Sequence, residues 1–214
     1  MIGSLNEIET MLRKASVGAG LPVGIAEDIG RAGAWLAAQG HDGVDAALKA
    51  IRDRFRDRLL NPEIPVREGG VLVFHTSHSA ICGPSAIDLL VADEASHGVR
   101  LLNVDSPVLI IGLAGTASIN YCIEINLAFS YGGEASVSAD NLVLNGPLPA
   151  PGTDIFITIC KVGRKTRKGK SPVGGVVIGE EMWREAAAFA ARTYVASTKE
   201  SRLQGAGAGM TDND

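Results

Sequence analysis

The apolar residues of this chain change period near Gly70, from a helical spacing in the first third to strand-like patterns beyond it. That change restricts the fold to one in which helices and a sheet form separate layers. Ser4-Leu5-Asn6-Glu7 has the S-x-x-E form of a capping box, followed at helical spacing by Leu5, Ile8, Met11, Leu12 and Ala15, with Gly18 and Gly20 as the stop. A second helix is expected from about Pro22, with Ile25, Ile29, Ala32 and Leu36 on one stripe and Gly40 closing it. Asp42 can cap a third, whose stripe is Val44, Ala47, Leu48, Ile51 and Phe55.

Beyond Gly70, Val71 to Phe74 is a short apolar run bounded by turn residues, which reads as a buried strand. Pro84 suits the first turn of a helix reaching about Val91, and Val99 to Val104 reads as a strand. Asp105-Ser106-Pro107 then opens a helix to Ser118. Tyr121 to Phe129 alternates apolar and polar residues as a half-buried strand does. Further strands are expected at Asn141 to Leu144 and Asp154 to Lys161, and a terminal helix over 180–197. The expected fold is α+β: an N-terminal helical layer packed on a mixed, largely antiparallel sheet with inserted helices and a C-terminal helix.

Composition closes off several classes of function. With 46% apolar and 21% charged residues among 214, the chain can bury a core, and no linker divides it. Residues 1–199 are expected to form one domain, followed by a Gly/Ala-rich tail over 200–214. The net charge of -4 offers no field to hold a phosphate backbone, so nucleic acid is not an expected partner. The longest apolar run, Pro107 to Ala117, falls short of the roughly 18 residues of a membrane span, and the N-terminus lacks a secretory pattern. A cytoplasmic protein with no membrane partner is expected. Cys82, Cys122 and Cys160 are an odd, widely spaced set and predict thiols, not a disulfide framework. No dinucleotide fingerprint, phosphate-binding loop or zinc spacing appears, so no cofactor or metal is expected.

The densest polar stretch is His75-Thr76-Ser77-His78-Ser79-Ala80-Ile81-Cys82-Gly83-Pro84-Ser85, between a strand and a helix. A thiol at a helix N-terminus is favoured as thiolate, and a nearby histidine can serve as its base. Cys82, His75 and His78 are therefore the candidate catalytic residues, although a cysteine there can equally be a small buried hydrophobe. The Lys161 to Lys170 stretch carries six cations in ten residues between glycines. Its Arg164, Lys165 and Arg167, with Ser85, are candidates to hold an anionic substrate group; the alternative is a solvated loop. Glu124 and Asn126 share the polar side of their strand with Cys122, which makes Glu124 an acid or base if that side lines a cleft and a solubilising residue if it faces water.

Ser4 to Glu9, Lys14-Ala15, Gly18 to Pro22, Gly24 to Asp28, Trp35-Leu36 and the ending Ser201 to Asp214 resemble a bacterial family of about this length known only as a domain of unknown function. That resemblance implies no reaction. The first helix pair is also similar to the N-terminus of the malate and L-lactate dehydrogenase family distinct from the Rossmann enzymes, but the chain is too short for that family and lacks its other landmarks. Two functions stand open. One is a small-molecule enzyme acting on an anionic amide, amidine or carbonyl compound through the Cys/His loop. The other is a non-catalytic subunit or binding module docking on a partner enzyme. Either is compatible with a homo-oligomer.

Overall fold

The computed structural model describes residues 1–57, 64–75, 78–92, 97–139, 141–160 and 175–194, with side chains omitted at 53–57. Helix α1 (Leu5–Gly18) opens on the capping box read from the sequence. The Ser4 hydroxyl accepts from the Glu7 N–H at 3.2 Å, and the Glu7 carboxylate accepts from the Ser4 N–H at 2.7 Å. Helix α2 (Val23–Ala38) follows Pro22. Helix α3 (Gly43–Asp57) is capped by Asp42, whose carboxylate accepts from the Asp45 N–H at 2.9 Å. After them come β2 (Val66–Glu68), β3 (Val71–Phe74), α4 (Ser79–Val91), β4 (Val99–Val104) and α5 (Pro107–Tyr121). Then follow β5 (Glu124–Phe129), β6 (Glu134–Ser138), β7 (Asn141–Asn145), β8 (Thr153–Cys160) and α6 (Glu180–Ala191). Two short strands, β1 (Ile2–Gly3) and β9 (Val176–Val177), pair with each other.

The main sheet has seven strands in the order β2-β3-β4-β8-β5-β6-β7. Among the described residues only β3 and β4 run parallel, joined through α4, and every other pair is antiparallel. The fold is α+β, as the change of period requires. In β5 the burial alternates: Ile125, Leu127 and Phe129 face the helices, while Glu124, Asn126 and Ala128 lie on the other side. Helices α2 and α5 pack on each other, with α1 and α3 against α2, α6 against α1, and α5 against β5 and β6. Close approach is set by glycine: a Cβ at Gly115 would stand 2.3 Å from the Trp35 ring, and one at Gly112 2.7 Å from the Ala32 carbonyl. No helix among the described residues is long and apolar enough to cross a membrane.

The starts of α4 and β5 and the end of α5 differ from the sequence reading, and one strand, β6, was not read from it. Helix α4 begins at Ser79, so Pro84 is its sixth residue and not part of its first turn. Tyr121 ends α5 and Cys122 caps it in the left-handed region at φ 54°, so β5 starts at Glu124. Cys122 consequently leaves the polar side of that strand. Strand β6 pairs with both neighbours although its Glu134-Ala135-Ser136-Val137-Ser138 run carries a weak apolar pattern. The apolar segment from Pro107 is a helix, as read, despite its β-branched residues.

Candidate active site at the ends of the parallel strands

The parallel pair β3 and β4 ends on one edge of the sheet, and the chain leaves each strand into a helix. The loop after β3 delivers His78, the N-cap of α4, and the end of β4 delivers Asp105, just ahead of the α5 N-cap Ser106. Open α/β sheets place ligands beyond the carboxyl ends of their parallel strands, where loops and helix N-termini converge.

Asp105 is the organising residue. Its Oδ1 accepts three hydrogen bonds: from the Ser79 N–H at 2.8 Å, the Ser79 hydroxyl at 2.5 Å and the Ser106 N–H at 2.7 Å. The carboxylate thus caps α4 from a neighbouring strand, where the helix dipole favours negative charge. Ser79 is fully buried and Asp105 has a side-chain exposure of 15%. With Oδ1 occupied, Oδ2 faces His78 Nδ1 at 3.4 Å, and the His78 ring keeps 40% of its surface exposed. Ser106 is turned the other way, its hydroxyl donating to the Ala46 carbonyl of α3 at 2.7 Å, which anchors the start of α5 to the helical layer.

The structure separates the residues that the sequence grouped. His75 pairs with Glu68 of β2 at 3.3 Å, both half exposed, and so belongs to the β2–β3 hairpin. Cys82 lies within α4, is 3% exposed and joins the hydrophobic core, with its N–H bonded to the His78 carbonyl at 2.8 Å. Cys82 is thus the fourth residue of α4, with its side chain turned into the core. Ser85 donates to the Ile81 carbonyl at 3.2 Å, a bond within its own helix. Arg164, Lys165 and Arg167 lie outside the described residues. Among the described residues no three His, Cys, Asp or Glu side chains gather as a metal site. Sequence reasoning took Asp105 only as a helix start and Ser79 as part of a loop; the one available signal was an acidic residue at the end of a strand.

A family model described as "Protein of unknown function (DUF3726)" matches residues 3–68, in agreement with the resemblance read at the N-terminal end; the similar run at 201–214 lies outside the match. No curated protein matches the chain. Among solved structures, malate dehydrogenase from Entamoeba histolytica is similar at 13% identity and a TM-score of 0.47, over 71% of this chain and 50% of that one. Sulfolactate dehydrogenase from Methanocaldococcus jannaschii is similar at 14% identity and a TM-score of 0.43, over 60% of this chain and 40% of that one. The chain therefore spans half or less of the length of these enzymes, and likenesses this distant carry nothing about its own chemistry.

Proposed function

We propose that the protein is an enzyme acting on a small anionic carbonyl, amide or amidine compound, with His78 as its general acid–base. The observation that supports this is the Asp105 carboxylate, held by three donors on one oxygen and turned to His78 Nδ1 with the other. A carboxylate beside Nδ1 selects the tautomer protonated there, which leaves Nε2 to take a proton from substrate and return it. The imidazolium so formed is stabilised by Asp105. The 3.4 Å spacing is long, as acid–base pairs often are before substrate binds. Helices α4 and α5 both begin at this point, and their N-terminal dipoles favour a substrate carrying negative charge. The histidine in this reading acts on substrate directly, without the Cys82 thiol.

The test is a panel of small anionic carbonyl, amide and amidine compounds offered to the wild-type protein, His78→Gln and Asp105→Asn. Turnover of a panel member is expected to fall about 10²- to 10⁴-fold in His78→Gln, with circular dichroism unchanged. Turnover that survives His78→Gln, or a panel with no substrate in it, would sink the reading. The binding-module reading is supported by a separate observation, a groove of about 430 Å³ between α1 and α6 with Met11, Trp183 and Tyr194 in its lining. On that reading Trp183→Ala, and not His78→Gln, removes function when the variants are returned to cells lacking the wild-type chain.

A further inference from the structure

We propose that the side of the sheet facing away from the helices binds a linear molecule with a protonated amine at each end. This site is independent of His78. It is a hollow of about 410 Å³ on β5, β6, β7 and β8. Its floor is low because the side chains that point away from the helices are short in the middle: Ala128, Ser136 and Thr158. Phe156 and Val143 lie to either side, giving an apolar strip for a hydrocarbon chain.

Among the residues that line the hollow, the only charged groups are two carboxylates. Glu124 faces the hollow from the start of β5, and its Oε1 accepts from the Ser136 hydroxyl at 2.8 Å. Glu134 faces it from β6, paired in register with Ala128. Four residues of β5 separate the two carboxylate positions, so their backbones stand about 14 Å apart at roughly 3.4 Å per residue. They bracket the hollow and do not share one ion. Neither has an ion pair among the described residues, and Arg100, on the same side, stands over the Phe156 ring at 5.7 Å. Between them Asn126 donates to the Cys160 sulfur at 2.9 Å, while its Oδ1 is buried without a hydrogen-bond partner. A carboxylate at each end gives the hollow negative charge at both ends, which complements a chain with cationic ends. The Thr158 hydroxyl and the Asn145 amide add neutral donors, and the Ser136 hydroxyl is taken up by Glu124, so no charged donor in the lining competes with a cationic ligand.

The experiment is an isothermal titration of the full chain with spermidine, with 1-aminobutane and glycerol as controls, on wild type, Glu124→Gln, Glu134→Gln and Glu181→Gln. Glu181 lies on α6, away from the hollow. The expected result is one saturable spermidine site, weakened roughly five- to tenfold by either hollow substitution and unchanged by Glu181→Gln. 1-Aminobutane should bind more weakly than spermidine and glycerol not at all. Circular dichroism confirms that each variant folds. Absence of saturable binding, or equal weakening by Glu181→Gln, overturns the proposal, since the second outcome is diffuse attraction to an acidic surface. Neither result bears on His78.

Discussion

At the scale of single residues, the Glu185 carboxylate on α6 accepts from Nε and Nη2 of the Arg52 guanidinium on α3, one oxygen for each. These hydrogen bonds hold its carboxyl below the usual range, against the upward pull of desolvation. The folded state therefore binds the Glu185 proton less tightly than the unfolded chain does. The stabilisation is present above the ordinary carboxylate value of 4.5 and is lost as pH falls through the lower folded value. Both side chains are about one-third exposed, at 34% and 32%, so screening keeps the contribution small. Glu185→Gln should cost about 0.5–1 kcal/mol at pH 7 by urea unfolding, and the difference should close well below the ordinary carboxylate value. A difference that persists undiminished in acid would mean that packing, not charge, carries it. Residue roles were legible where their partners are local. Ser4 and Glu7 lie three apart, and the capping box read from the chain is present. His78 and Asp105 are 27 apart and meet only because β3 and β4 run side by side, so the sequence showed the histidine without its partner.

At the scale of elements, the helices owe their spacing to glycine. A Cβ at Gly43, the first residue of α3, would stand 1.9 Å from the Gly33 carbonyl oxygen of α2, where backbone offers no relief. Gly24 in α2 has nothing within 4 Å of that position. The same substitution should therefore have opposite signs at the two sites. Gly43→Ala is expected to lose about 1–3 kcal/mol through overpacking. Gly24→Ala should gain about 0.5–1 kcal/mol from helix propensity. Thermal melts of the two variants check this, and a stabilised Gly43→Ala would refute the close crossing. Helices α1, α2 and α3 were legible because their apolar stripes and end signals agree. The start of α4 was not, since its cap is supplied by Asp105 from another strand and Pro84 drew the boundary five residues late. Strand β6 was passed over because Ala135 and Val137 are its only apolar residues, and neighbours on both sides override its weak pattern.

At the scale of the whole molecule, Trp35 ties α2 to the sheet in addition to the direct packing of α5 on β5 and β6. Its ring packs over Gly115 of α5, and its Nε1–H donates to the Ala139 carbonyl beyond β6 at 2.8 Å, a buried bond between residues 104 apart. A single side chain thus touches α5 and the β6–β7 turn from α2, and it is 6% exposed. Phenylalanine at this position keeps most of the apolar contact but removes the donor and leaves the Ala139 carbonyl buried without it. Trp35→Phe is therefore expected to lose about 2–3 kcal/mol, from the orphaned acceptor together with the space left by the smaller ring. Because the bond joins the layers, the loss should lower the stability of both together. Helical circular dichroism and the labelling of the Cys160 thiol, on β8 of the sheet, should then report one coincident urea transition at a lower midpoint than in wild type. If the two signals separate in Trp35→Phe, the layers hold themselves independently once the bond is gone, and Trp35 is a coupling residue. If they coincide and the midpoint does not move, the Ala139 bond contributes nothing to stability, and the apolar packing of α5 on α2 carries the junction by itself.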